Sequence, residues 1–190
     1  FQSMYSCTYS GNINNDGSSN NDLIFVPTDA QIDQMNFAEL DNDNDGNIDN
    51  TAAAQRAALR AYIEQDDYLS ERRGQYAERN ASLSPWFSRW DIRVLQDFKL
   101  GNGNVIQLSI DLLNAGNFLS SDWGVRERPT TTQPIGVLES VDGAFNPIFA
   151  PDADNGQPTF TFDPNLTDTF TPDTGLLSRW QLQFGLRYSF

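Results

Sequence analysis

The chain has 190 residues, 38% of them hydrophobic, and its 12 basic and 26 acidic residues leave a net charge of −14. Histidine is absent and Cys7 is the single cysteine, which excludes an internal disulfide, cysteine-based metal clusters and every catalytic arrangement built on an imidazole. With a mean hydropathy of −0.52 and no run of about 18 apolar residues, a transmembrane helix is excluded, but alternating barrel strands are not.

The charge is unevenly spread. All twelve basic residues fall in 56–128 and 179–187, while 139–175 carries seven acids and no base. Acidity therefore belongs to the loops, and nucleic-acid binding lacks the basic face it needs. No motif places two carboxylates across a cleft, so the expectation is that the protein is not an enzyme. Phe1 is not an initiator residue, which reads as a mature or truncated piece.

"FQSMYSCTYS" alternates and reads as a strand, followed by the turn-rich "GNINNDGSSNND" and a short apolar run, Leu23 to Val26, that stops at Pro27. Residues 1–27 are thus taken as barrel strand and loop, and 28–85 as an acidic insertion. Within the insertion, Leu59, Tyr62 and Ile63 at helical spacing predict one helix over 52–65, capped by Asn50 or Thr51. A short turn over Tyr68 to Arg73 should stop at Gly74.

From Trp86 to Phe190 the period changes to two. Strands are predicted at about 86–100, 104–114, 118–128 and 177–190, with "GNG" as a hairpin turn and a long loop over 139–175. Another strand is expected near Ile135 to Val141. In the last strand Trp180, Leu182, Phe184, Leu186, Tyr188 and Phe190 share one face, opposite Gln181, Gln183, Gly185, Arg187 and Ser189. Strands of nine to eleven residues, aromatics gathered near strand ends and loops of unequal length favour a membrane barrel over a soluble sandwich. On that reading the six alternating residues face lipid, while Arg89, Arg93, Arg187, Asp91, Asp97 and Asp111 face the lumen and pair between strands. Trp86, Trp90 and Trp180 are interfacial anchors; Trp123 is left to stack on a sugar or peptide.

The terminal strand resembles the closing strand of bacterial outer-membrane barrels. "IDLLNAGNFLSSDWG" resembles the penultimate periplasmic turn of TonB-dependent receptors. With "GNINNDGSSNNDLIFVPTD" and "RGQYAERNASLSPWFSRWDIRVLQDF", nearly the whole chain resembles the carboxy-terminal region of the Oar-like branch, related to SusC-type receptors of Bacteroidetes. The resemblance implies an all-β fold with one short helical insertion: an antiparallel transmembrane segment of a 22-stranded barrel with long acidic extracellular loops. It further implies solute import across the outer membrane, with the rest of the barrel and a plug domain, the TonB complex, the barrel-assembly machinery and a surface lipoprotein as partners. Phe190 would belong to the assembly signal. With a periplasmic carboxy terminus, the turn at Asn114–Asn117 is expected in the periplasm and "GNG" outside. Segment 10–75 then lies outside only if an irregular strand descends around Gln75 to Leu83.

"DNDNDGNID" places Asp41, Asp43, Asp45, Asn47 and Asp49 in the pattern of the first half of an EF-hand-type loop, from which calcium is expected as a cofactor. The twelfth position is Ala52, so the usual bidentate glutamate is missing, with Asp66 or Asp67 as substitutes. Asn12, Asn14, Asp16 and Gly17 form a degraded copy, better read as plain loop, as is "PDADNG" at 151–156. The alternative reading of the whole is a secreted, calcium-dependent β-sandwich binding module.

Overall fold

A computed structural model describes residues 2–14, 16–41, 43–139 and 158–190. It is rich in strands, and among the described residues it has four α-helices, none long and apolar enough to cross a membrane. No sheet closes into a barrel among those residues. Two compact units divide the chain non-sequentially: 3–83 with 129–170, and 1–2 with 84–128 and 171–190.

The first unit holds the core. Its longest helix, Ala52–Gln65, matches the expected span, and Thr51 Oγ1 accepts from Ala54 N at 3.2 Å to satisfy one orphan amide. The alanine-rich sequence costs little entropy, and Gln55, Leu59, Tyr62 and Ile63 form the buried stripe. Asp66 ends the helix and caps the next, Asp67–Glu71, by accepting from Leu69 N at 2.8 Å. Gly74, φ +80°, follows as the expected left-handed stop. A further helix, Asp29–Gln34, starts from a capping box made by Thr28 and Gln31.

These helices pack with a four-stranded sheet ordered Tyr9–Ser10, Ile135–Glu139, Thr159–Thr161, Asn36–Phe37. The inner pair is antiparallel and the two outer pairings are parallel. Tyr9, Phe37, Phe160, Phe162 and Tyr62 interlock across the core, with ring centroids 5.6 to 6.2 Å apart. Gln55, fully buried, donates to Ala38 O and Asn50 O and accepts from Phe162 N at 2.9 Å. One helix side chain thereby completes the backbone hydrogen bonding of two distant segments.

Several expectations change here. Residues 139–175 are not simply loop: 140–157 lie outside the described residues, but Phe160 and Phe162 are core and Thr159–Thr161 is a central strand. Residues 75–83 do not cross beside the terminal strands. Instead Gln75–Tyr76 pairs with Phe25–Val26, and Ser82–Leu83 with Met4–Tyr5.

The second unit is built on a three-stranded antiparallel sheet, ordered Gln181–Ser189, Val105–Leu113, Ile92–Lys99. The strand expected from residue 86 starts at Ile92. Asn102 and Gly103, φ +61° and +85°, make the hairpin turn, since two successive positive φ values match the twist of the flanking strands. Of the strand expected at 118–128, only Glu127–Pro129 is a strand, and it does not join this sheet. Asn114 takes the left-handed conformation and turns the chain out of the sheet, and Ala115–Leu119 forms a helical turn. The Asn117 amide then donates to Ser121 O and Trp123 O, both at 3.1 Å, offering the backbone local partners in place of a ladder.

Losing that strand inverts the expected topology. The closing strand pairs directly with Val105–Leu113, so Ser189, Val105 and Lys99 share one end of the sheet and Gln181, Leu113 and Ile92 the other. The "GNG" turn thus lies at the same end as the carboxy terminus. Both long excursions, before residue 92 and between 113 and 181, join the sheet at the opposite end.

Candidate functional site

Residues directly opposite in an antiparallel pair lie on the same face, so the register sorts the sheet into two surfaces. One carries the rows Leu182–Leu112–Ile92, Phe184–Ile110–Val94, Leu186–Leu108–Gln96 and Tyr188–Ile106–Phe98. Gln96 is its single polar interruption. The other carries Gln183–Asp111–Arg93, Gly185–Ser109–Leu95 and Arg187–Gln107–Asp97.

The apolar surface is bare. Phe184 and Leu186 are 75% and 73% exposed, Val94 is 56% and Phe190 is 99%. Trp180 and Leu182 are also exposed, so all six residues picked out by alternation project from the described structure. Phe118 meets Trp180 edge-on at 5.2 Å, and Tyr188 stacks with Phe190 at 5.9 Å, so aromatics gather at both ends of the closing strand. On the polar surface Arg93 grips Asp111 through two guanidinium nitrogens, the Nη2 contact being 3.2 Å. Gln107 Nε2 donates to Asp97 Oδ1 at 2.8 Å. These pairs cross between neighbouring strands and fix their register.

In the acidic loop, carboxylate oxygens of Asp41, Asp43 and Asp49 come within 4.8 Å of one another, an arrangement that can hold a metal ion. Leu40 and Asn50 bridge the base of the loop, and Asp41 accepts from Gly46 N at 2.8 Å and Asp45 N at 3.2 Å. Asp45 stands outside this trio. Its carboxylate accepts from the Asn47 amide side chain at 2.9 Å and from Asn47 N at 2.7 Å, and these contacts hold its pKa below the usual carboxylate value. The sequence spacing could not separate Asp45 from its neighbours, since the next asparagine decides its direction. Asp41 is half-buried and the other two carboxylates are exposed.

Neither suggested substitute for the missing glutamate serves the loop. Asp66 is buried at the far end of the 14-residue helix, about 20 Å along its axis, and accepts from Leu69 N and from Thr169 Oγ1 at 2.7 Å. Asp67 opens the following helix. Asn14, Asp16 and Ser18 form successive side-chain-to-backbone turns, the loop chemistry expected of that segment. Asp152 and Asp154 lie outside the described residues.

Sequence reading missed one grouping. Three of the four tryptophans, Trp86, Trp90 and Trp123, line a single cleft of 360 Å3 together with Asn114 and Asp122. Read singly, Trp86 and Trp90 as anchors and Trp123 as a stacking residue, they gave no sign of convergence; the turn at Asn114 brings them together.

No family model matches the chain, and neither the curated proteins nor the solved structures yield a match.

Proposed function

We propose that this chain is the carboxy-terminal part of a TonB-dependent transporter that imports a solute across the bacterial outer membrane. One observation carries the reading: a sheet of eight- and nine-residue strands that is apolar and exposed on one face, polar on the other, and unpaired at both edges among the described residues. A nine-residue strand is about 30 Å long and, tilted by roughly 40°, covers most of the apolar band of an outer-membrane barrel. Nine apolar side chains on that face, from Ile92 to Tyr188, are at least 42% exposed. Leaving them in water forfeits roughly 1 kcal/mol each, together on the scale of a whole domain's stability. Something apolar must cover the face, and lipid does so without a second sheet.

The sheet's topology gives this reading a simpler orientation than alternation alone. With a periplasmic carboxy terminus, "GNG" is the periplasmic turn and both long excursions are extracellular, so no descending strand is needed at 75–83. The acidic unit then faces the outside, where the Asp41, Asp43 and Asp49 trio takes calcium. The remaining barrel strands, a plug domain engaging the TonB complex, the barrel-assembly machinery at Phe190 and a surface lipoprotein are the partners this function requires.

The packed core of the 3–83 and 129–170 unit and its metal-ready trio favour a second reading, a secreted calcium-dependent binding module. Extraction separates the two. The transporter should stay with outer membranes after high-salt and carbonate washing and leave only with detergent, and deletion of Phe190 should lower its membrane-inserted level. Recovery of the full-length protein in the aqueous phase without detergent would remove the transporter reading.

A further inference from the structure

We infer that the cleft between Trp86, Trp90 and Trp123 binds a sugar ring of a neutral glycan. The cleft, 360 Å3, is of a size that holds one or two pyranose rings and falls at the small end of ligand sites. A pyranose has an apolar C–H face and a rim of hydroxyls. Its binding surface needs flat aromatic platforms beside short polar groups, and three indoles with Ser88, Asn114 and Asp122 supply both. No cationic side chain lines the cleft, which disfavours phosphates and carboxylates. The three indoles are more than half exposed, so their faces are free for stacking among the described residues.

The walls are fixed before any ligand arrives. Ala115 N donates to Trp90 O at 2.7 Å, and Asn114 N to Asp91 Oδ1 at 2.9 Å, pinning the chain that carries Trp86 and Trp90. Trp123 N donates to Ser120 O, and the Asn117 side chain holds Trp123 O. Gly124, φ +63°, is obligatory, because a Cβ there would lie 1.9 Å from Asn114 Oδ1. Asn114 itself is 1% exposed; its Nδ2 donates to Gly124 O at 2.9 Å, while Oδ1 has no partner among the described residues. The cleft consists entirely of residues 86–125, so this inference does not depend on the membrane reading.

The test is titration of the full-length protein with neutral gluco-, xylo- and N-acetylglucosamine oligosaccharides, followed by tryptophan fluorescence and calorimetry. Saturable binding to at least one is expected. Trp123→Ala should weaken it by about tenfold or more, and Trp123→Phe, which keeps a platform, by only a few-fold. Trp180→Phe, outside the cleft, should leave it unchanged. If Trp123→Ala does not fold, Asp122→Ala takes its place with the same expected loss. Vesicles bearing lipopolysaccharide form a second arm: binding there that Trp123→Phe retains, with none to free glycans, assigns the ring to a lipid headgroup. No saturable binding in either arm, or wild-type affinity in Trp123→Ala, overturns the site. Binding by protein that needs no detergent would keep the site and remove the transporter.

Discussion

The two units of this chain spend their apolar residues in opposite ways. In the 3–83 and 129–170 unit, sixteen apolar side chains close a core, and Asp66 is that unit's one buried carboxylate among the described residues. In the sheet unit, Ala115 is the only buried apolar residue among those described, while phenylalanines, leucines and tryptophans stand in the open. The distinction lies in where alternation is sustained: eight or nine residues of it make a two-faced wall, whereas two-residue strands need helices and aromatic neighbours to bury anything.

The contrast breaks most visibly under paired substitutions. Phe160→Ala should cost about 3–5 kcal/mol and unfold the core unit, detected as loss of protease resistance in 3–83. Phe184→Ala in the sheet should change that resistance by less than ~0.5 kcal/mol equivalent. Phe184→Arg should cost about 2–4 kcal/mol in a lipid bilayer and nothing comparable in water, read as the denaturant midpoint in vesicles. Equal behaviour of Phe160→Ala and Phe184→Ala would mean that the sheet face is packed against protein.

Base should attack the core unit next. Burial pushes the Tyr62 hydroxyl up to about 12 and raises Tyr5, Tyr9 and Cys7 as well. Each of these groups is neutral when protonated and is held protonated by the fold. Their contribution is complete below the unfolded values, near 8.5 for thiol and 10 for phenol, and is lost as pH rises through the folded ones. Thermal melting of the core unit should therefore fall steadily above about pH 9 and steeply towards pH 12. A flat profile across that range would contradict the burial.

The smallest effect belongs to the acidic loop. Asp43→Ala with Asp49→Ala should lower proteolytic resistance of 40–66 in calcium but not in chelator. Asp45→Ala should disturb the turn equally in both, because its carboxylate serves Asn47. Identical cleavage of wild type and the double variant in calcium would remove the metal.

Much of this was legible in advance. The 52–65 helix followed from its alanines, its cap and its buried spacing, and the three long strands from their alternation. Of the strand expected over 118–128 only Glu127–Pro129 forms, because Asn114, Asn117 and Gly124 act through turns and side-chain hydrogen bonds that periodicity does not register. The core role of Phe160 and Phe162 was hidden by their proline- and aspartate-rich surroundings, although the alternation in "TFTF" was present. Pairings such as Ile135 with Tyr9 have no local signature. At the acidic loop, spacing identified the carboxylates, but only the structure divided three that converge from one that turns away.

The hydrogen bond from Phe162 N to Gln55 joins positions 107 apart, and the central strands of the core sheet lie downstream of the Val105–Leu113 strand. The amino-terminal part of the core must therefore wait for chain that emerges much later. High contact order slows folding, and meanwhile Tyr9, Phe37 and Leu59 lack the partners that cover them. Synthesis of this chain thus includes an interval in which a half-built core exposes apolar side chains that the finished core buries.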